Sequence, residues 1–318
     1  MRNNTYSDVS MFRKFLRVLK KLALYFLKKV VNFVMFCSER TRTESELRNY
    51  INRYNDEYYL RRNYSKLISE ISFGKLNHLD IGSHGGPLEI VQKYSDYFEI
   101  IMCEPIEEEA DKLLRRGYKI INKPMFKEPK EVVFYETQLS AGSSIYKPKG
   151  PYLDFYNPDP DYLALYDTIK ETPMLCSTIS DELSKLGIRE LDFLKLDTQG
   201  SELDILKGAG NYRPLMIMTE VQYLPFYNGV PSTYEVCQYL IELGYIPFTL
   251  TSSLARNLCP TYGDGIFMPS WVEFKGVELI RAREEKYIAL MLMFGQIDIL
   301  KFVNRKIKLK NQRFIESL

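Results

Sequence analysis

The sequence predicts an α/β fold with a mainly parallel, doubly wound sheet. Short apolar runs alternate with segments whose apolar residues recur at helical spacing, and this order holds from Leu76 to about Ser270. The unit is clearest in residues 191–209, with a buried strand over Leu191–Leu196, a turn, and a helix that stops at Gly208. Repeated strand and helix units of this kind form parallel strands with helices on both faces.

Composition and charge limit the classes of function. A chain of 318 residues with 45% hydrophobic residues can bury a full core. The formal net charge is only +2, and the residues that we predict below to form the functional site are acidic, so we expect no nucleic-acid partner. The 5 cysteines are far apart and the 2 histidines are His78 and His84, so the sequence indicates neither a disulfide framework nor a metal site. We therefore expect a reducing, cytoplasmic compartment.

Residues 1–37 are predicted to form a basic amphipathic helix. The apolar residues of 11–36 share one helical face and most of the Arg and Lys residues share the other, with too many charges for a membrane-spanning helix. Two roles fit this pattern: binding an anionic membrane surface at the inner face of the membrane, or packing on the protein itself or on a second subunit of a homodimer. A signal peptide is disfavoured because no small-residue cleavage site follows. Residues 38–75 are predicted as a helical lead-in.

The main domain is predicted over residues 76–270. Its strands are predicted at Asn77–Ile81, Phe98–Cys103, Tyr118–Asn122, Glu131–Glu136, Leu191–Leu196, Leu215–Glu220, Tyr245–Leu250 and Gly265–Met268. Helices are predicted after Pro87, over Ile106–Arg116, from Thr178 to Gly187, from Leu203 to Gly208 and from Ser232 to Gly244. Residues 271–318 are predicted as a C-terminal helical extension that packs on the amino-terminal helices or on a partner subunit.

The turn after the first strand and the acid after the second predict a nucleoside site. Gly82 and Gly86 let the backbone approach a ligand closely. Glu104 follows Asp80 by 24 residues and ends the second strand. An acid at this position accepts hydrogen bonds from both hydroxyls of a ribose. Asp80 beside the turn would repel a pyrophosphate and attract a cation. A nucleoside with a positive group, such as S-adenosylmethionine, therefore fits better than a dinucleotide.

Several motifs together resemble one known family. The chain is similar to the FkbM family of S-adenosylmethionine-dependent methyltransferases through Asp80-Ile81-Gly82-Ser83-His84-Gly85-Gly86, Glu104-Pro105, Gly142-Ser143-Ser144, the block from Leu194 to Ala209, and Glu220-Val221 with Asn228-Gly229. The resemblance implies a class I methyltransferase (Rossmann-like) fold whose last strand is antiparallel, and S-adenosylmethionine as the cofactor. The cofactor-binding residues that it implies are Asp80, Gly82, Ser83, His84, Gly86, Glu104, Pro105 and Ser143. Ser83 and His84 replace the small residue and the amide of the family's usual turn.

The resemblance also implies O-methylation, often of a sugar hydroxyl in a polysaccharide, lipopolysaccharide or natural product. An alcohol is a poor nucleophile, so a carboxylate or imidazole should take its proton as it attacks the methyl group in line. The predicted catalytic residues are Asp197 and Glu220, each at a strand end, with Glu202 in support and His84 as a weaker candidate. Ordinary structural roles remain open, since Asp197 fits a helix N-cap and Glu202 a first-turn acid.

An aromatic segment follows at residues 150–173, which are predicted as a long loop. It holds Tyr152, Phe155, Tyr156, Tyr162 and Tyr166 among several aspartates. Aromatic faces beside carboxylates suit a carbohydrate, and a long loop often serves as a lid. The alternative is that these tyrosines cover the sheet or contact a second subunit.

Two hypotheses of function follow from the sequence. The first is a cytoplasmic O-methyltransferase, peripheral at the membrane if the amino-terminal helix binds lipid, that acts on a glycan, a glycolipid precursor or a small molecule. The second is a catalytically silent methyltransferase-like interaction module, because the altered turn leaves room for lost cofactor affinity. Binding of S-adenosylmethionine separates the two.

Overall fold

The computed structural model describes residues 64–255 and 259–318. The amphipathic helix predicted at 1–37 and most of the lead-in predicted at 38–75 lie outside these residues. The membrane and homodimer interactions predicted for that segment therefore remain predictions. Within the described ranges, no helix has both the length and the apolar character needed to cross a bilayer.

The elements alternate along the chain as the sequence predicts. The strands are β1 Leu76–Ile81, β2 Phe98–Cys103, β3 Lys119–Ile121, β4 Glu131–Thr137, β5 Thr168–Leu175, β6 Phe193–Leu196, β7 Met216–Gln222, β8 Tyr245–Leu250, β9 Leu254–Ala255, β10 Cys259–Pro260 and β11 Tyr262–Pro269. The α-helices are α1 Ser65–Ile68, α2 Glu89–Lys93, α3 Glu107–Arg115, α4 Leu153–Tyr156, α5 Pro160–Ala164, α6 Ile179–Lys185, α7 Glu202–Lys207, α8 Thr233–Glu242, α9 Phe274–Ala282, α10 Glu284–Met293, α11 Ile297–Ile307 and α12 Gln312–Ser317.

The main sheet of the described chain has seven strands in the order β3-β2-β1-β6-β7-β11-β8. The pairs from β3 to β7 are parallel, whereas β11 is antiparallel to both β7 and β8. This arrangement confirms the predicted doubly wound, mainly parallel sheet with an antiparallel last strand. β1 lies between β2 and β6, so the strand order reverses there and the chain leaves a crevice at the carboxyl ends of these strands.

Alternating side chains place a hydrophobic core on each face of the sheet. Leu76, Phe98 and Phe193 contribute to one core, which also includes residues of α2 and of the C-terminal helices. Leu79 and Leu194 contribute to the other core, with residues of α6, α7 and α8. Because successive side chains of a strand point to opposite faces, strands covered on both faces read as nearly continuous apolar runs.

The C-terminal helices pack directly on the sheet. Seven consecutive residues of α10, from Tyr287 to Met293, are at most 1% exposed and belong to the same core as Phe193. Arg283 donates hydrogen bonds to Leu191 O and to Asp192 Oδ1, which fastens α10 to the segment before β6. The packing predicted for this extension, on the amino-terminal helices or on a partner subunit, involves residues outside the described ranges and stays a prediction.

The segment from 131 to 175 differs from the prediction. β4 pairs antiparallel with β5 in a separate two-stranded sheet, and neither strand joins the main sheet. The predicted loop at 150–173 is wrong in extent, because α4, α5 and most of β5 lie within it. β5 escaped prediction because its residues are mostly exposed and include Pro173, so the sequence shows little apolar alternation there.

We expect Glu284→Gln to destabilise the protein by about 1.5–3 kcal/mol, since Glu284 is buried and charged acceptors hold their donors strongly. Its carboxylate accepts hydrogen bonds from Lys310 N at 2.9 Å and from Asn311 N at 2.7 Å, and the amide of glutamine cannot accept both. Urea unfolding at neutral pH measures the change. The neighbouring Glu285→Gln is the control and should change stability by less than about 0.5 kcal/mol. Equal effects of the two variants would contradict this role for Glu284.

Candidate active site

A cleft lies at the carboxyl ends of β1, β2 and β6. Among the predicted cofactor-binding and catalytic residues, those that line it are Gly82, His84, Glu104, Pro105, Ser143 and Asp197. Its apolar wall includes Ile106, Met125, Phe134 and Ile145. The cleft stands at the reversal of strand order, which is where open α/β sheets bind their ligands.

The turn after β1 is held by hydrogen bonds to the end of β2. Gly82 has φ +79°, and a Cβ at this position would overlap the carbonyl oxygen of Asp197, so the position requires glycine. Gly82 N donates to Cys103 O at 3.1 Å, and Ser83 Oγ donates to Asp80 O at 2.6 Å. Ser83 is fully buried, so the structure places it as a support of the turn.

The remaining predicted residues of the turn occupy different positions. Gly86 does not line the cleft, and its positive φ places it against the guanidinium of Arg116, which donates to Gly85 O at 2.7 Å. His84 lies at the cleft with its Nδ1 atom 3.8 Å from Oε2 of Glu109 on α3. His84 therefore lines the cleft, whereas Gly86 contacts Arg116 and does not line it.

Glu104 is placed to accept hydrogen bonds inside the cleft. The residue is 3% exposed, and its Oε1 atom accepts from Ile106 N at 2.9 Å. Asn122 Nδ2 donates to Glu104 O at 2.8 Å and fixes the backbone. Burial raises the pKa of Glu104 to about 7. A carboxylate at the end of β2, beside Pro105 and an apolar wall, fits the ribose and base of a nucleoside.

Asp80 lies beneath the cleft and pairs with Lys195. Asp80 is fully buried and does not line the cleft, and Lys195 Nζ stands 3.2 Å from its Oδ1. The same ammonium donates to Gly82 O at 2.9 Å and lies 3.5 Å from Oδ2 of Asp197. Burial raises the pKa of Asp80 to about 6, and the Lys195 cation opposes that rise. The sequence predicts that Asp80 attracts the positive group of a ligand. In the structure the cation beside Asp80 is Lys195, and Asp80 is buried below the cleft instead of lining it.

Sequence reasoning missed Lys195. The side chain is 12% exposed and joins β1 to β6 under the glycine turn. A lysine inside the short apolar strand Phe193–Leu196, two residues before an acid, was the available signal. Lysine is almost never buried without a partner, so its position in a buried strand indicates a carboxylate nearby.

His78 lies beside Asp80 in the same buried layer. Its Nε2 atom is 4.0 Å from Oδ2 of Asp80, and its Nδ1 atom is 3.2 Å from Phe193 O. Burial lowers the pKa of His78 to about 3, so the imidazole is neutral at physiological pH. The negative charge of Asp80 therefore depends on Lys195 for compensation.

Asp197 and Glu220 meet beside the cleft through Gln199. Asp197 follows β6 directly and its side chain is 45% exposed. Glu220 lies within β7, which extends two residues beyond the predicted strand end, to Gln222. Gln199 Nε2 donates to Asp197 Oδ1 at 3.0 Å and to Glu220 Oε2 at 2.7 Å. Gln199 was not predicted as a site residue, because an amide in a turn has many structural uses.

Glu202 supports this turn from the inside. Its Oε1 atom accepts from Thr198 N at 2.8 Å and from Thr198 Oγ1 at 3.0 Å, and its Oε2 atom accepts from Gly200 N at 3.0 Å. The residue is 4% exposed and does not line the cleft. Glu202 therefore acts as an acid at the start of α7 that accepts hydrogen bonds from Thr198 and Gly200.

An aromatic cluster lies next to the two acids. Its side chains come from α4, from α5 and the turn after it, from the segment after β7 and from the first residue of β11. They are Tyr156, Tyr162, Tyr166, Phe226, Tyr227 and Tyr262. Tyr227 OH is 3.0 Å from Gln199 Oε1, which connects the cluster to Asp197 and Glu220. Several of these tyrosines pack on one another, and both a carbohydrate contact and a covering role stay predictions for this segment.

Metal ligation finds no support in the described part of the chain. Residues 64–255 and 259–318 contain no group of three or more His, Cys, Asp and Glu side chains arranged to hold an ion. Asp197 and Glu220 instead share an amide donor.

Comparison with known families and structures gives the following matches. The family model of the methyltransferase FkbM domain matches residues 80–247, just over half of the chain. No curated protein matches the chain. Among solved structures, magnesium protoporphyrin IX methyltransferase from Synechocystis PCC 6803 with bound SAM is 7% identical, over 73% of this chain and 86% of that chain, with a TM-score of 0.34.

Two further solved structures show similar values. TrmK from M. capricolum, in complex with S-adenosyl-homocysteine, is 10% identical over 79% of this chain and 90% of that chain, with a TM-score of 0.33. The 1,6-didemethyltoxoflavin-N1-methyltransferase of Burkholderia thailandensis, with bound 1,6-didemethyltoxoflavin and S-adenosylhomocysteine, is 9% identical over 77% and 90%, with a TM-score of 0.29.

We expect Lys195→Met to cost about 3–5 kcal/mol at pH 8, because it leaves the Asp80 carboxylate buried without its cation. Loss of the cation raises the folded-state pKa of Asp80 above about 6, so the folded chain keeps this proton while the unfolded chain releases it. Stability from this group is fully present below the unfolded pKa and is lost as pH rises through the folded pKa. Urea unfolding should therefore show a smaller loss at pH 5 than at pH 8.

Two companion variants test the cause. Lys195→Met combined with Asp80→Asn should recover much of the loss at pH 8, because no buried charge remains. Lys112→Met removes a lysine that is mostly exposed and should have little effect. A loss for Lys195→Met that is the same at both pH values, with no recovery in the double variant, would contradict the ion-pair explanation.

Proposed function

The chain belongs to the FkbM methyltransferase family, and we propose that it transfers a methyl group from S-adenosylmethionine to a hydroxyl of a carbohydrate acceptor. Its fold is the class I methyltransferase fold, with the antiparallel last strand, and S-adenosylmethionine is its cofactor. Methyl transfer is thereby the activity of the family. The oxygen nucleophile and the carbohydrate are the proposed refinements.

One observation carries this proposal. One cleft is lined by the Gly82 turn, by Glu104 and by Asp197, and Asp197 is joined through Gln199 to Glu220. Glu104 at the end of β2 and the bare backbone of Gly82 fit the nucleoside of the cofactor. Asp197 offers a carboxylate in the same cleft for an acceptor hydroxyl. The proposed cofactor site and the proposed proton acceptor, Asp197, thus belong to the same cleft.

The protein can promote the reaction chiefly by position and by proton transfer. The bound cofactor supplies an electrophilic methyl group on a positively charged sulfur. Glu104 would hold the cofactor by accepting hydrogen bonds from its ribose hydroxyls, and Gly82 would leave room for the cofactor because it has no side chain. In this proposal Asp197 orients the acceptor hydroxyl and takes its proton as the oxygen attacks, and Glu220 is joined to Asp197 through Gln199.

The surroundings of the acids support a carbohydrate acceptor. Tyr227 contacts Gln199, and the aromatic cluster extends from this point through Tyr166 and Tyr162. Aromatic rings pack on the apolar faces of sugars, while carboxylates accept hydrogen bonds from their hydroxyls. An oxygen nucleophile also matches the acids, because a hydroxyl must lose a proton during methylation.

The rival proposal is a silent methyltransferase-like module. Its basis is the replacement of the usual turn residues by Ser83 and His84. Ser83 is turned away from the cleft, since its hydroxyl bonds to Asp80 O, and His84 lines the cleft without closing it. These positions favour a site that keeps its cofactor, and binding measurements distinguish the two proposals.

We expect isothermal titration calorimetry to detect binding of S-adenosylmethionine. Glu104→Ala should weaken this binding by about 10- to 100-fold, because the cofactor loses its hydrogen bonds to a charged acceptor. The ionised carboxylate is the better acceptor, and the pKa of Glu104 is about 7 in the free protein, so affinity should rise between pH 6 and pH 8. Glu104→Gln should lose this pH dependence. The exposed Glu107→Ala is the control. Absence of binding at millimolar cofactor would support the silent module.

Transfer itself is tested with S-adenosylmethionine that carries a labelled methyl group. We expect the protein to transfer label to a hydroxyl in a panel of neutral oligosaccharides and glycolipids, and Asp197→Asn to reduce transfer by about 100-fold or more, within the usual range for an acid-base group. Mass spectrometry of the product should show a methyl ether. Label on nitrogen, or label only in nucleic acid or protein, would contradict the proposed acceptor class.

A further inference from the structure

Gln199 has an unusual backbone conformation at the centre of the acid site. Its φ of +59° lies in the left-handed region, which residues other than glycine, asparagine and aspartate rarely adopt. The strain is supported locally, because Ser144 Oγ donates to Gln199 O at 2.9 Å and Glu202 holds both neighbours of Gln199. Backbone strain of this kind persists where the surroundings enforce it, and it is concentrated at functional sites.

The strained conformation directs the amide of Gln199 between two acids. Both acids accept from the same nitrogen, Asp197 Oδ1 at 3.0 Å and Glu220 Oε2 at 2.7 Å. A primary amide has two N–H groups, so its donor capacity is used fully by this pair. The two acids set the orientation of the amide, since a reversed amide would turn its oxygen toward them. Tyr227 OH lies 3.0 Å from Gln199 Oε1 and 2.8 Å from Gly142 O.

We infer that Gln199 is a positioning residue that holds Asp197 and Glu220 around one shared proton, with Glu220 as the neutral acid and Asp197 as the carboxylate. This inference rests on the proposed function, and it assigns separate roles to two acids that the sequence leaves equivalent. Two carboxylates brought together in a partly buried site cannot both ionise readily, so one of them keeps its proton. The amide supplies donors to both without adding a charge.

The charges around the pair decide which acid keeps the proton. Glu220 is faced by Asp197 from the turn after β6, by Glu202 from α7, by Asp264 from β11, and by the hydroxyls of Tyr166 and Tyr227. Burial raises the pKa of Glu220 well above its ordinary range, and the neighbouring carboxylates raise it further.

Asp197 has the opposite surroundings. Its Oδ2 atom lies 3.5 Å from the ammonium of Lys195, and its side chain is 45% exposed to solvent. Asp197 therefore stands beside a cation and in contact with solvent, whereas Glu220 is faced by other carboxylates. Asp197 also lines the cleft, and Glu220 is not among the residues that line it. The member of the pair assigned as the carboxylate is therefore the one that an acceptor in the cleft can reach.

The proposed step balances with these roles. The acceptor oxygen forms a bond to the methyl carbon, the bond between that carbon and sulfur breaks, and its electron pair stays on sulfur. The hydroxyl proton passes to the carboxylate of Asp197, while Glu220 keeps its own proton and donates a hydrogen bond within the pair. The products are a thioether, a methyl ether and a protonated Asp197, which releases its proton to water through its exposed side.

The shared proton is tested first by stability against pH, without any acceptor. A glutamate with a raised folded-state pKa contributes stability that is present below the unfolded pKa of about 4.3 and is lost as pH rises through the folded pKa. Glutamine imitates the neutral acid, so Glu220→Gln should match the wild type near pH 4.5 and unfold at a higher urea concentration near pH 8.5. A Glu220→Gln protein that unfolds at lower urea at pH 8.5 would overturn the inference.

The role of Gln199 is tested in the same measurement. Gln199→Leu removes both N–H donors, which stabilise the ionised acids, so the folded-state pKa of Glu220 rises. The pH at which the stability advantage of Glu220→Gln levels off should therefore move upward by about one unit. Gln238→Leu, on the exposed side of α8, is the matched control and should not move it. An unchanged titration in Gln199→Leu would overturn the positioning role. Calorimetry with S-adenosylmethionine on each variant verifies that the cleft is intact.

The division of roles is tested by methyl transfer to the oligosaccharide panel. Asp197→Asn should lower the rate by about 100-fold or more, while Glu220→Gln should lower it by less than about 10-fold, since it keeps a neutral donor. Equal large losses would overturn the assignment and leave the methyltransferase proposal in place. If the wild type binds the cofactor but no transfer occurs, the proposed acceptor fails, and the urea titration still decides whether the pair shares a proton.

Discussion

The ammonium of Lys195 is the contact on which the arrangement of the site depends. It lies between the buried carboxylate of Asp80 and the exposed carboxylate of Asp197, and it donates to the carbonyl of Gly82. One side chain of β6 thereby fixes the end of β1, the glycine turn and the first acid of the acceptor side. Without this cation, the fully buried carboxylate of Asp80 would have no cationic partner among residues 64–255 and 259–318.

The cleft combines two kinds of surface. Glu104 and the bare backbone of Gly82 lie with an apolar wall, which fits the proposed binding of a nucleoside. Asp197 lines the same cleft, and Gln199 joins it to Glu220, while Tyr227 connects that amide to an aromatic cluster. The turn after β6 therefore contributes the residues to which we assign acceptor positioning and proton transfer.

The sequence predicted those features that follow from local pattern. The doubly wound sheet is confirmed because apolar strands and amphipathic helices alternate over nearly 200 residues, and Glu104 was found because it closes a recognisable strand. Lys195 and Gln199 escaped because their roles depend on partners from distant segments, Asp80 and Glu220 respectively. Neither a buried lysine nor an amide in a turn shows its partner in the linear sequence.

Direct evidence for the central claim would come from the structure of the protein with S-adenosylhomocysteine bound. The account predicts that the ribose hydroxyls lie within hydrogen-bond distance of the Glu104 carboxylate, and that the sulfur points toward Asp197. A nucleoside bound elsewhere, or bound in this cleft with its sulfur directed away from Asp197 and Glu220, would contradict it.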